Sequence, residues 1–321
     1  MSKLITIEET AQWLKERDNF LILTHRRPDG DTIGCAGALA QGLREQQKTA
    51  YILDNPEITP RYAGFVEEYT APGGYEPEHI ITIDTASPDL FPKNGGKYIK
   101  TISLCIDHHP SNTFYAEYTF LDGTTASCGE NIYDLLIHMT GKISPRTAEC
   151  LYVALSTDTG CFAFANTTAN TLRIASLLID AGAPHRTLNK NLFRTKTLGR
   201  LRIEGMIFSG IEFYFGGAVA VSTITLKMIE TASADEDDLD DIASIPGSIE
   251  GVQAGITIRE LTSVNDCKVS VRTGPQVNSH AICALFGGGG HPMAAGYSLD
   301  ISVDETKAAL LEALKNFFPE A

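Results

Sequence analysis

Four apolar runs in the first third of the chain each finish on an acidic or imidazole side chain: FLILTH at 20–25, TAYILD at 49–54, HIITID at 79–84 and TISLCID at 101–107. Runs this short and this apolar predict strands buried on both faces, as in a parallel sheet whose crossovers cover it. The segments around them carry helical periodicity, in IGCAGALAQGLREQQ despite its glycines and again at about 126–139, 145–157 and 168–181. Thr6 and Glu9 have capping-box spacing and predict a short helix before the first strand. The fold class that follows is α/β, a mostly parallel sheet with flanking helices. No stretch reaches the 18 or so apolar residues of a membrane span, and MSKLITIEET lacks the basic-then-apolar signature of a secretory signal, so the expectation is a cytoplasmic protein with no membrane partner.

The segment PHRTLNKNLFRTKTLGRLR holds Arg186, Lys190, Arg194, Lys196, Arg200 and Arg202 without an acidic residue and reads as a connecting helix. Arg186, Lys190 and Arg194 share one helical face, either solvated or lining a cleft. From about residue 210 the texture changes: IEFYFGGAVAVSTITL at 211–226 predicts a hairpin, 252–260 and 267–273 predict strands, and a short helix, GGGG at 287–290 and a terminal helix from about 304 follow. The expected organisation is a first domain over 1–185, a helical linker over 186–209 and a smaller α/β domain over 210–321. The acidic run Asp235 to Asp241 reads as a solvated helix start or loop and lacks the spacing of an EF-hand.

Strand ends of a parallel sheet deliver side chains into a shared crevice. Four places in the first domain carry Asp or His there: His25 with Asp29 and Asp31, Asp84, Asp107 with His108 and His109, and Asp158. Gly30 lets the loop HRRPDGD turn tightly enough for Asp29 and Asp31 to face one point. Asp84 among apolar neighbours needs a partner or a cation if it is ionised, although alone it reads equally as a cap. His108 and His109, adjacent on an extended segment, are expected to point to opposite sides. Asp158 in STDTGCF follows a helix and, taken singly, reads as a cap on the turn at Gly160. Together, oxygen and imidazole donors in this number suit a pair of Mn²⁺- or Mg²⁺-like ions better than structural zinc. Four aspartates would balance two divalent ions, leaving the site able to activate water and clamp a phosphoryl group.

Charge and cysteine usage narrow the classes. A formal charge of −14 argues against coating a long nucleic-acid duplex, which needs many cationic contacts. A small phosphorylated substrate remains compatible if metal ions reverse the sign locally. Cys35, Cys105, Cys128, Cys150, Cys161, Cys267 and Cys283 are odd in number, scattered and without a CxxC pair, so they read as buried thiols in a reducing compartment.

THRRPDGDTIG, ITIDTA, CIDHHPSN and STDTGCF resemble the four successive motifs of the DHH phosphoesterase superfamily, named for the triplet seen here as Asp107-His108-His109. KVSVRT at 268–273 and FGGGGHPMAAG at 286–296 resemble the DHHA1-type substrate-binding domain that accompanies it. Both domains are covered in the family's order, and the match is closest to the two-domain oligoribonucleases called nanoRNases, which also remove the 3′-phosphate of 3′-phosphoadenosine 5′-phosphate (pAp). The resemblance implies one metal held by His25, Asp29 and Asp84 and a second held by Asp31, Asp84, His108 and Asp158. Asp84 would then bridge the ions and orient the attacking hydroxide, His109 would contact the scissile phosphate as a leaving-group acid, and Asp107 would orient the imidazoles. Thr32 and Cys35 stand where the family commonly has Ala and Ser, which removes no ligand.

In the second domain, the glycines before His291 permit close backbone approach and a nest of N–H groups for an anion. The resemblance implies that Arg272, Gly288, Gly289, Gly290 and His291 hold a terminal phosphate or nucleotide. Without it, Arg272 reads as a strand arginine paired to a carboxylate. If one domain cleaves and the other grips the far end, only short oligomers fill the gap. The function expected is hydrolysis of short oligoribonucleotides to mononucleotides, and of pAp to AMP, with two divalent ions. Mn²⁺ is the first choice, with Mg²⁺ or Co²⁺ as alternatives. Competing readings are hydrolysis of linear or cyclic dinucleotides, hydrolysis of polyphosphate or pyrophosphate, and a non-catalytic nucleotide sensor. A homodimer with a second copy of the chain is compatible with the sequence.

Overall fold

The computed structural model describes residues 2–239 and 241–319. Within the acidic run Asp235 to Asp241, Asp240 therefore lies outside the described residues. The chain divides into two compact units, Met1–Thr195 and Lys196–Ala321.

The first unit runs β1 (Lys3–Leu4), α1 (Ile7–Lys15), β2 (Phe20–Leu23), α2 (Gly30–Glu45), β3 (Ala50–Ile52), α3 (Pro60–Ala63), β4 (His79–Ile83), β5 (Ile102–Asp107), β6 (Tyr118–Leu121), α4 (Cys128–Thr140), α5 (Pro145–Asp158), α6 (Ala169–Asp180) and α7 (His185–Asn189). Thr6 caps α1 with the reciprocal Glu9 bond of a capping box, so that helix starts where the sequence signals it. Its six strands lie in the order β1-β6-β5-β4-β2-β3, every pair parallel. The order turns back at β2, whose neighbours are β3 on one side and β4 on the other, and this reversal opens a crevice at the strand C-termini. The register carries Leu23 opposite Thr82 and Ile83 opposite Ile106, so β2, β4 and β5 end at one level.

Alternate residues of the strands feed two cores. Phe20, Ile22, Ile81, Ile83, Leu104 and Ile106 meet the apolar faces of α1, α2, α4 and α5. Leu21, Leu23, Ile80, Ile102 and Cys105 face Phe91 and Ala116 with a rim of tyrosines. Residues Pro88–Leu90 and Lys93–Tyr98 are 3₁₀ turns, so loops rather than long helices cover this second face. Inside the first core the glycines of α2 have a purpose. A Cβ on Gly34 would lie 2.4 Å from the Cys150 carbonyl oxygen of α5. Its absence lets the two helices approach, which brings Asp31 near the start of α2 toward Asp158 at the end of α5.

The second unit contains α8 (Leu198–Ser209), β7 (Glu212–Tyr214), β8 (Val219–Ile224), α9 (Leu226–Ala232), β9 (Ala254–Glu260), β10 (Cys267–Thr273), α10 (Ser279–Ala284), β11 (Gly289–His291), β12 (Ala294–Leu299) and α11 (Val303–Leu314). Its sheet order is β11-β12-β10-β9-β8-β7, antiparallel except for the β8–β9 pair. β7 and β8 form the hairpin at 211–226, turning through Gly216 and Gly217 at positive φ. One face buries Val219, Ile256, Val269, Val271 and Tyr297 against α10 and α11.

Two expectations change here. The connecting segment is not one helix: α7 passes into a π-helical turn over Lys190–Arg194, the helix breaks, and α8 starts after the Thr197 cap. Its cations divide accordingly. Arg186, Lys190 and Arg194, with His185 and Asn189, line a cavity of about 340 Å³ on the first unit. Lys196 and Arg200 are spent on the buried carboxylate of Glu204, each at 2.6 Å. Nor is the acidic run wholly solvated, because Asp238 is buried and accepts a hydrogen bond from the Thr197 hydroxyl.

Candidate metal centre

The crevice at the β2/β4 reversal gathers acidic and imidazole side chains from the ends of β2, β4 and β5, from the start of α2 and from the end of α5. His25 follows β2, and its Nδ1 lies 2.7 Å from the Arg26 carbonyl oxygen. A carbonyl can only accept, so Nδ1 is the donor in this contact and Nε2 is the ring nitrogen left to face a cation. That Nε2 is 3.9 Å from Oδ1 of Asp29, the N-cap of α2. Asp84 immediately follows β4 with φ of 52°, a left-handed conformation that turns the chain abruptly out of the sheet. Its Oδ2 accepts from the Thr32 hydroxyl at 2.6 Å.

Asp84 Oδ1 is buried with no hydrogen-bond partner. It lies 3.5 Å from His108 Nε2 and 3.5 Å from His109 Nδ1. The two imidazoles therefore do not diverge: their rings meet edge to face with centroids 4.5 Å apart. The strand ends at Asp107, so the alternation that holds in extended backbone stops one residue before the pair. His108 Nε2 also stands 3.8 Å from Asp31 Oδ2 and 3.8 Å from Asp158 Oδ2.

Three overlapping groups result, each with donor atoms within 4.8 Å of one another: His25, Asp29 and Asp84; Asp31, His108 and Asp158; and Asp84, His108 and His109. The electrostatics ask for positive charge. Burial, with Asp29 nearby, pushes Asp31 up to about 7. Burial, then Asp31, pushes Asp158 up to about 7. Burial with Asp31 and Asp29 lifts Asp84 well above the usual carboxylate range. Three carboxyl groups that resist ionisation, and one buried oxygen without a donor, are what a divalent cation would relieve. Burial also holds the Cys35 and Cys128 thiols well above their ordinary values, so no thiolate competes and the donor set stays oxygen and imidazole.

Asp107 behaves differently. Burial alone would raise its pKa, but hydrogen bonds from His109 and Asn112 outweigh burial and hold it below its ordinary value. Oδ1 accepts from His109 Nδ1 at 2.8 Å and Oδ2 from Asn112 Nδ2 at 2.6 Å. That bond from Nδ1 is the main cause of a raised pKa at His109, which favours the protonated ring.

Several supporting residues gave no sequence signal as partners. Asp31 accepts from the Ser127 hydroxyl at 2.8 Å and the Cys128 amide at 2.8 Å, so it caps α4. Cys35 Sγ adds a bond to Asp31 at 3.2 Å, and Thr32 supports Asp84, which gives both departures from the family pattern a structural role. Arg26 and Arg27 are exposed beside this loop, and Arg27 Nε lies 3.8 Å from Glu57.

In the second unit, Arg272 on β10 and His291 on β11 both pair with Ala294 of β12. Residues paired across strands share a face, so the two side chains flank Ala294 about 10 Å apart at ordinary strand spacing. No carboxylate among the described residues pairs with Arg272, whose Nη1 bonds the Val271 carbonyl. The glycine loop is not a free nest. The Gly287 and Gly288 amides are taken by carbonyls of α10, and Gly289–His291 form an edge strand. Gly288 is required by close packing, since a Cβ there would lie 2.3 Å from the Gly296 carbonyl oxygen.

Comparison with known proteins fits this architecture. A model of the DHH family N-terminal domain matches residues 19–155, and one of the DHHA1 domain matches residues 216–320. A Thermus thermophilus protein named bifunctional oligoribonuclease and PAP phosphatase NrnA is 31% identical over 92% of this chain and 88% of its own length. The chain belongs to the DHH family. A Bacillus subtilis family member of the same name is 29% identical over 92% of this chain and 93% of its own. The fold recurs in the crystal structure of an exopolyphosphatase-related protein from Bacteroides fragilis, with a TM-score of 0.86, 23% identity and coverage of 98% of this chain and 96% of that one. No helix among the described residues is long and apolar enough to cross a membrane.

Proposed function

We propose that this DHH-family chain is a metal-dependent phosphoesterase that hydrolyses short oligoribonucleotides to mononucleotides and pAp to AMP. The observation that carries the reading is the unpartnered buried oxygen of Asp84 at the meeting point of the ligand groups. The names of the relatives, which cover most of both chains, supply the substrate class. In this reading His25, Asp29 and Asp84 hold one divalent ion, and Asp31, Asp84, His108 and Asp158 hold a second, with Mn²⁺ preferred. Bound there, the ions would supply an acidified water and charge neutralisation for the phosphoryl group.

The chain's own residues do the rest. Asp84 orients the water through the oxygen that no hydrogen bond constrains. Asp107 keeps a proton on His109, which donates to the leaving oxygen. Asn112 and Thr32 fix the carboxylates they touch, so the ligands need little rearrangement on loading. Arg272 and His291 hold a terminal phosphate or nucleotide of the substrate. A soluble nucleotide substrate supports a cytoplasmic enzyme.

The test is product formation from an RNA dinucleotide, a long RNA oligomer and pAp, each with Mn²⁺ and with EDTA. Metal-dependent release of mononucleotides, fastest on the dinucleotide, and of AMP from pAp is the expected result. Asp84→Ala should abolish both, and wild-type turnover by that variant would sink the two-metal assignment. Pyrophosphate hydrolysis without dinucleotide hydrolysis would overturn the substrate class.

A further inference from the structure

Between Asp158 and α6 the chain makes a turn that ordinary capping does not require. Gly160, Cys161 and Phe162 stand in succession at φ of 55°, 57° and 67°. Left-handed backbone costs a non-glycine residue about 1–2 kcal/mol, and consecutive cases are rare. The turn persists because it is held from several sides. The Thr159 carbonyl accepts from the Ala163 and Phe164 amides at 2.9 and 3.0 Å, and the Thr159 hydroxyl accepts from the Phe162 amide at 3.1 Å. Asn166 Nδ2 ties the far end to the Asp158 and Ala126 carbonyls at 3.1 and 3.0 Å.

The turn sorts two phenylalanines. Phe162 is half-buried and meets the Tyr152 ring at 5.8 Å, as a core residue does. Phe164 is 60% exposed. It is not a loose side chain, since its ring lies against Gly160 so closely that a Cβ there would be 2.4 Å from Phe164 Cε1. Gly160 is two residues from the candidate ligand Asp158, at most about 8 Å along the chain. A strained, well-braced turn thus holds an apolar aromatic face in water at the edge of a phosphate-handling centre. A lone exposed phenylalanine needs no explanation; one placed by a strained turn beside an active centre does.

We propose that Phe164 is a substrate-binding residue: its exposed ring is the platform on which a nucleobase of the substrate stacks while the adjoining phosphate sits at the metal centre. Stacking on an aromatic face is tolerant of sequence because every base presents one. The same ring offers nothing to pyrophosphate or a polyphosphate chain, so it favours nucleotides over base-free phosphates. The inference rests on the phosphoesterase reading for its place in a reaction, but not for the binding it asserts.

The test separates the two. Calorimetric Kd values of Mn²⁺-loaded protein for AMP and for ribose 5-phosphate are compared among wild type, Phe164→Ala and Phe164→Trp, with KM and kcat on r(AA) alongside. Phe164→Ala should weaken AMP binding by roughly 5- to 150-fold, the range that removing a stacking ring gives. Ribose 5-phosphate binding should be unchanged, Phe164→Trp should restore AMP binding, and on r(AA) the loss should fall on KM with kcat nearly constant. Equal weakening of both ligands, an unaffected AMP Kd, or no AMP binding by wild type overturns the proposal. Failure of wild type to hydrolyse r(AA) strikes the phosphoesterase reading instead, and the AMP comparison still decides the stacking.

Discussion

The metal-free protein should lose stability as pH rises from about 4 to about 7, the reverse of the usual behaviour of ion-paired carboxylates. Asp31 and Asp158 have ordinary values of 3.8 and folded-state values of about 7. Between these limits the folded chain keeps protons that the unfolded chain has released. Stability then falls with pH, because its slope follows protons bound unfolded minus protons bound folded. One retained proton is worth about 1.4 kcal/mol per pH unit, so about three pH units amount to about 4 kcal/mol. One proton is the minimum count, because the clustered carboxyls raise one another and share the retained protons.

Other groups do not cancel this. Asp107, held low, contributes stability that is present above its unfolded value and is lost only as pH falls through its folded value, below this window. His109, raised above 6.5, contributes stability that is full below 6.5 and lost as pH climbs beyond it, which steepens the upper end. Mn²⁺ binds only ionised ligands and should remove the slope, so its stabilisation should grow with pH. The chain's one tryptophan, Trp13, is buried in the first unit and reports its unfolding in urea. General repulsion from the net charge of −14 would also favour lower pH. Asp31→Asn distinguishes the two, because it changes the net charge little but removes one raised carboxyl and the charge that raises Asp158, and so should flatten the slope. A metal-free stability that is level or rising over this range, or a slope that Asp31→Asn leaves intact, refutes the reasoning.

Thr32→Val keeps the shape of the side chain and removes the donor to Asp84 Oδ2, so Mn²⁺ affinity measured by calorimetry should fall about 10- to 100-fold. Unchanged affinity would detach Thr32 from the centre. Gly34→Ala places a Cβ against the Cys150 carbonyl and should cost about 1–3 kcal/mol in urea unfolding, with weaker metal binding as α2 and α5 separate. Gly205→Ala, in the exposed interior of α8 with nothing within 4 Å of the new Cβ, should instead stabilise the second unit by about 0.4–1 kcal/mol. The opposite order of the two glycine variants would show that close helix approach is not what Gly34 provides.

The strands and their functional ends were legible because burial on both faces leaves an unbroken apolar run, and the first polar residue after it marks the sheet edge. His25, Asp84 and Asp107 could be found that way. What stayed hidden was every bond between residues far apart in sequence. Thr32 and Asp84 are 52 positions apart and Ser127 and Asp31 are 96 apart, and neither pair has a local pattern. The His108/His109 geometry departs from the expected alternation for a local reason, since β5 ends at Asp107 and both histidines lie beyond it. In the linker, charge composition suggested one cationic helix. Glu204, eight residues beyond Lys196 and four beyond Arg200, neutralises part of it, and a π turn breaks the rest.

A centre of carboxylates and imidazoles around divalent ions recognises phosphoryl oxygens, which phosphodiesters, pyrophosphate and polyphosphate all present. It can supply rate without supplying choice. Choice must come from groups that the metals do not need, and the two proposals supply two kinds. In them, Phe164 reads a base, and Arg272 with His291 reads a terminal charge. Loss of the ring should therefore lower discrimination between r(AA) and pyrophosphate by the factor lost in base stacking, while leaving the pyrophosphate rate as it was. Arg272→Ala should weaken substrates in proportion to the terminal charge they carry, pAp most. With divalent ions bound as proposed, an acidic protein could act on phosphates because positive charge would be concentrated where the bond breaks.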